Sequence, residues 1–105
     1  MIQRVVCFKY KPETSKQDID SHLERFRKLP DIVPGIASYR GGLCIPNANG
    51  DLPAYSSMHY LTFKTTEDMC LYFNHPEHQK FGKFGGAISE KIFVINSEIS
   101  FETMK

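Results

Sequence analysis

A chain of 105 residues with 41% hydrophobic and 24% charged side chains has the size and balance of one globular domain around a single core. Thirteen basic against twelve acidic residues leave a formal charge of +1, spread without blocks of like charge, which argues against nucleic acid as a partner. The three cysteines, Cys7, Cys44 and Cys70, are far apart and lack C-x-x-C spacing, which argues against a disulfide framework and a cysteine zinc site.

Residues 2 to 10, IQRVVCFKY, are rich in β-branched and aromatic side chains and apolar on both alternating sets, as in a strand buried on both faces. The same stretch has neither the long apolar run nor the cleavage site of a signal peptide, and no other segment offers about twenty consecutive apolar residues. A cytoplasmic location with no membrane partner is the expectation. Pro12 ends the strand, and Thr14 or Ser15 is placed to cap a helix in which Ile19, Leu23 and Phe26 form an apolar stripe. Arg25, Arg27 and Lys28 share that helix with Asp18, Asp20 and Glu24, as on a solvated face, and Pro30 and Pro34-Gly35 are expected to close the unit.

A second strand is expected from Ile36 to Ile45, with a bulge at Gly41-Gly42, followed by an exposed loop over residues 47 to 53. Residues 56 to 64 alternate Met58, Tyr60 and Thr62 against His59, Leu61 and Phe63 as a third strand. Thr65 or Thr66 then caps a helix with Met69, Tyr72 and Phe73 as its apolar stripe, and Cys70 reads as a packing residue. At His75-Pro76 that helix must break, because the proline ring clashes with the preceding turn. Pro76 and Glu77 suit the start of another helix, which Gly82, Gly85 and Gly86 should curve or interrupt. Residues 91 to 101 give the last strand.

The order β-α-β followed by β-α-β predicts an α+β, ferredoxin-like domain spanning residues 1–105: a four-stranded antiparallel sheet with helices on one face. The first and last strands are apolar on both faces, so the uncovered face needs a partner. A two-fold copy of the chain would form a dimeric α+β barrel with it.

Chemistry concentrates between Tyr72 and His78. At the third position of a new helix, His78 would be held neutral by the positive helix terminus and could act as a base; Tyr72 could donate its hydroxyl to a developing oxyanion. The same two side chains could instead bond each other or nearby backbone and plug the helix break. His75 is placed to cap the following helix. His75 and His78 lack a third strong ligand, so no metal is expected. His22 and His59 read as exposed or satisfied core histidines. Val6, Phe8, Leu23, Phe26, Met69, Phe81, Gly82 and Ile88 would supply a ligand-binding wall between helices and sheet.

The opening VVCFKYKPETS, the PGI turn at Pro34 to Ile36, the strand YLTFKT and above all YFNHPEHQKF from Tyr72 to Phe81 resemble the stress-responsive A/B-barrel (Dabb) family. The resemblance covers nearly the whole chain and implies a dimeric α+β barrel. Family members include stress-induced assemblies and a plant polyketide cyclase whose catalytic tyrosine and histidine match Tyr72 and His78. Arg4 and Ser57 stand where that cyclase has pocket histidines, and Ser89 where it has a tryptophan.

The expectation is therefore a homodimer holding a small apolar or aromatic carbonyl compound. Whether it is an enzyme is open; if so, it is a cofactor-free aldol cyclase or isomerase using Tyr72 and His78. The contrasting readings are a non-enzymatic stabilising assembly and, by fold analogy, a haem-binding monooxygenase.

Overall fold

In the computed structural model, which describes residues 1–105, strand β1 (Ile2–Tyr10) lies inside the sheet with a partner on each side. Helix α1 (Lys16–Ile32) follows, then β2 (Ile36–Leu43), β3 (Ser57–Phe63), α2 (Thr66–Asn74), α3 (Pro76–Ile88) and β4 (Ser89–Glu98). The strand order is β2-β3-β1-β4 and every pairing is antiparallel, which is the ferredoxin-like arrangement expected from the element order.

Register assigns the two faces. Val6 lies opposite His59 and Val94, and Phe8 opposite Ser57 and Ile92, so these residues share the helix-covered face with Arg4 and Leu61. The core on that side contains Val6, Phe8, Phe26, Leu29, Leu61, Phe63, Tyr72 and Phe81. Burying a side chain such as Phe or Leu is worth about 1.5–3 kcal/mol, so this cluster supplies much of the drive to fold. Val5, Cys7, Met58, Tyr60, Phe93 and Ile95 point the other way, where no helix lies. Met58 is 49% exposed and Ile95 55%, large values for apolar side chains in the body of a sheet.

Both expected caps form: Ser15 Oγ accepts from the Asp18 N–H at 3.1 Å, and Thr65 Oγ1 from the Asp68 N–H at 3.1 Å. On the outer side of α1, Glu24 pairs with Arg27 and Lys28, and Lys16 with Asp20, as a solvated face. No helix is long and apolar enough to cross a membrane.

Several local expectations are corrected. Pro30 does not close α1, which runs on to Ile32. Leu29 and Val33, 3% and 1% exposed, anchor that last turn, and their burial outweighs the missing proline N–H. The inner line of α1 is His22, Phe26 and Leu29, whereas Leu23 lies to its side. Strand β2 stops at Leu43, and its irregularity falls between Ile36 and Ser38 rather than at the glycines. Gly41 is small for another reason: a Cβ there would collide with Tyr39 Oη and His59 Nδ1, which bond across it.

Helix α3 is not interrupted by its glycines, because Gly85 packs against His22 and Phe8 and so ties the helix to the sheet. Strand β4 starts at Ser89, directly after α3, and ends at Glu98 rather than at residue 101. Phe73 is 55% exposed, so the α2 stripe narrows to Tyr72 with Met69 beside it, and Cys70 is exposed rather than packed.

Candidate functional site

The break between α2 and α3 is built by His75 and Pro76. Proline at the start of α3 gives up no hydrogen bond there, and His75 Nδ1 accepts the Glu77 N–H at 3.1 Å. His75 is thus the helix cap, and with Nδ1 occupied it does not converge with His78. No group of three or more His, Cys, Asp or Glu side chains is placed to hold a metal ion.

Tyr72 and His78 meet across that break. Their ring centres lie 4.2 Å apart with the planes inclined at 43°, and they share no hydrogen bond. The Phe73 carbonyl lies 3.0 Å from His78 Nδ1. A carbonyl can only accept, so Nδ1 carries the proton and Nε2 keeps its lone pair. Burial lowers the His78 pKa below the ordinary value and outweighs the opposing Phe73 bond, with smaller lowering from the Arg4 and His75 charges. The ring is therefore a neutral base at pH 7. Tyr72 is 1% exposed and packs on Phe63, and burial pushes its phenol up to about 12 against the pull of Arg4. It remains a proton donor.

These groups border a cavity of about 110 Å³ lined by Arg4, Val6, Phe8, Phe26, Tyr72, His78, Phe81, Gly82, Ile92 and Val94. Ile92 and Val94, on the outer strand β4, are 48% and 41% exposed and form its open side. Of the residues expected to form the wall, Val6, Phe8, Phe26, Phe81 and Gly82 line this cavity. Leu23 does not: it borders a separate surface cleft beside Tyr39, on the flank of α1. Met69 and Ile88 do not line the cavity and pack, partly buried, against the core. A larger concavity, about 710 Å³, lies under the β2–β3 connection, lined by Leu43, Ile45, Tyr55, Met58 and Tyr60 among others. It is lined by no histidine or carboxylate, so the Tyr72–His78 pair borders the smaller space alone.

Arg4, which the family resemblance set at a pocket position, lines the cavity, as its alternation with Val6 and Phe8 also implies. One feature escaped the sequence reading. His22 and His59 are both fully buried and belong to one polar chain. His22 Nδ1 lies 2.8 Å from Tyr10 Oη, Tyr10 donates to Ser57 Oγ at 3.2 Å, Ser57 Oγ lies 3.1 Å from His59 Nε2, and His59 Nδ1 lies 2.7 Å from Tyr39 Oη. Burial lowers both histidines to about 4. Ser57 therefore belongs to this chain, and Ser89 sits buried at the α3–β4 junction; neither lines the cavity.

The fold recurs widely among solved structures. An Arabidopsis thaliana protein matches with a TM-score of 0.85 at 19% identity, covering 99% of this chain and 100% of its own. The hydroxynitrile lyase from Passiflora edulis matches with a TM-score of 0.84 at 24% identity, covering 96% of each chain. A protein from Thermobifida fusca, described as dimeric, ferredoxin-like and of unknown function, matches at 16% identity with a TM-score of 0.78, covering 91% of this chain and 88% of its own. At these identities the likeness is one of fold. No curated protein matches. The stress responsive A/B barrel domain model matches residues 2–99, and on that match this chain belongs to the Dabb family.

Proposed function

We propose that this Dabb protein works as a homodimer in which each subunit holds a small apolar or aromatic carbonyl compound between its helices and sheet, and that Tyr72 and His78 act on it. The observation that carries this reading is the pairing of an unprotonated His78 Nε2 with a buried, protonated Tyr72 at the same cavity. His78 would take a proton from the carbon beside the carbonyl, while Tyr72 donates a hydrogen bond to the enolate oxygen as charge develops there. No cofactor is needed for that step. It fits a cyclisation of the aldol type or an isomerisation.

The dimer follows from the exposed apolar face of Met58, Phe93 and Ile95, which a second copy would cover, and from the dimeric state described for the Thermobifida fusca neighbour. The Passiflora edulis neighbour, a hydroxynitrile lyase, is a precedent for an enzyme on this fold. At about 110 Å³ the cavity takes the reacting end of a ligand, with the remainder passing out between Ile92 and Val94. A porphyrin could not be enclosed in it, since a cavity of about 150 Å³ holds a single benzene ring.

Native mass spectrometry of the purified dimer, followed by turnover assays on the compound it carries and on a panel of carbonyl compounds and hydroxynitriles, tests the proposal. Tyr72→Phe and His78→Ala should each lower turnover about 100-fold or more with the dimer intact. Full activity in both variants would sink the mechanism. An empty protein whose Tyr72 and His78 resonances respond to none of the panel would sink the pocket and favour a stabilising assembly role, to which the tight packing of Tyr72 on Phe63 is also suited.

A further inference from the structure

Arg4 stands on the helix-covered face of β1, in line with Val6 and Phe8, and borders the cavity with Tyr72 and His78. Its guanidinium carbon lies 5.8 Å from the centre of the Tyr72 ring. One nitrogen, Nη1, donates to Asn96 Oδ1 at 3.0 Å from the neighbouring position on β4, which holds the side chain in place. Its Nε is enclosed and has no acceptor. The ion pairs of the protein join Lys9 to Glu90, Lys16 to Asp20, Glu24 to Arg27 and Lys28, and Glu77 to Lys80; Arg4 takes part in none of them. No aspartate or glutamate lines the cavity.

A guanidinium at an apolar cavity is costly unless an anion meets it, and its planar fork of donors matches a carboxylate in particular. Resting on the pocket reading above, we infer that the ligand carries a carboxylate which Arg4 binds, placing the acid group within a bond or two of the carbon that faces Tyr72 and His78. The substrate class is then a short oxo acid or a similar small carboxylate rather than a neutral carbonyl compound.

Charge at this position also reaches the base. The Arg4 cation contributes to lowering the His78 pKa. A carboxylate seated on Arg4 cancels that contribution, so the ligand would raise the basicity of the group that acts on it.

The test compares matched probes by NMR titration of the intact protein: 2-oxobutanoate against pentane-2,3-dione, and benzoate against benzamide. Each carboxylate should bind at least about tenfold tighter than its neutral counterpart, the gap expected for one charge-assisted pair. Bound 2-oxobutanoate should also raise the His78 pKa. Arg4→Met should remove the preference while leaving binding of the neutral probes in place, and Arg4→Lys should restore part of it. Equal or tighter binding of the neutral probes by the wild-type protein would overturn the role of Arg4 and leave the pocket standing. No response from either set at Tyr72 and His78 would overturn both readings.

Discussion

Gly85 lies so close to His22 that a Cβ at position 85 would come within 2.9 Å of His22 Nε2 and 3.2 Å of Phe8 Cε1. The His22 ring is stacked on Phe81 at 4.8 Å, nearly parallel, and meets Phe8 edge-on at 4.4 Å, so it has little room to yield. Helix α3 carries Phe81, Gly82 and His78 to the cavity, and its distance from the sheet is set at this contact.

Gly85→Ala should therefore destabilise the protein by about 1–2 kcal/mol, overpacking outweighing the helix-propensity gain of about 1 kcal/mol. Gly86→Ala, one residue along in open space, should stabilise by about 0.5–1 kcal/mol. Urea denaturation of the two variants checks the contrast in sign. Stabilisation by both would show that α3 can move away from His22 at no cost.

Acid should unfold the protein through His22 and His59. Both titrate near 4 in the folded state against about 6.5 when unfolded. Between those values the unfolded chain binds more protons than the folded one. The stabilising contribution is therefore complete above about pH 6.5 and is lost as the pH falls toward 4. The loss approaches about 1.4 kcal/mol per pH unit for each histidine involved. Urea midpoints measured from pH 7 to pH 4.5 should fall steeply in the wild type and less steeply in His22→Gln; equal slopes would place the acid sensitivity elsewhere.

Removing the cap at the helix break should weaken α3 from its start. His75→Ala leaves the Glu77 N–H without its acceptor and should cost about 1 kcal/mol, whereas His75→Asn, with an oxygen able to accept, should recover most of that. Thermal unfolding of the three proteins orders them. Amide exchange at Glu77 should be faster in the alanine variant alone.

A charge on the uncovered sheet face should separate the proposed dimer. Phe93 and Ile95 are 42% and 55% exposed on that face, and Phe93→Asp with Ile95→Asp should yield a monomer at micromolar concentration by light scattering. Helix content by circular dichroism should be unchanged, since the helices lie on the opposite side. A dimer that survives both charges would move the interface away from this face.

Alternation along residues 2 to 10 and 57 to 63, the helical spacing of Phe26 and Leu29, the cap residues Ser15 and Thr65, and the His75-Pro76 break are all local signals. They were sufficient for the element order and the ferredoxin-like sheet. The meeting of Tyr72 and His78 was also legible, because a proline fixes where one helix stops and the next begins. What failed locally failed for tertiary reasons: Pro30 stays helical because Leu29 and Val33 are anchored, and the glycines of α3 are tolerated because Gly85 is packed. The chain from His22 through Tyr10, Ser57 and His59 to Tyr39 joins residues from α1 and three strands, and no spacing in the sequence encodes it. The same holds for the partners of Arg4, whose side chain reaches Asn96 and Tyr72 only because β4 lies beside β1 and the fold brings Tyr72 of α2 within 5.8 Å of the guanidinium. Periodicity settles which way a residue faces; only the packed fold decides which distant groups share that space, and there the candidate chemistry is set.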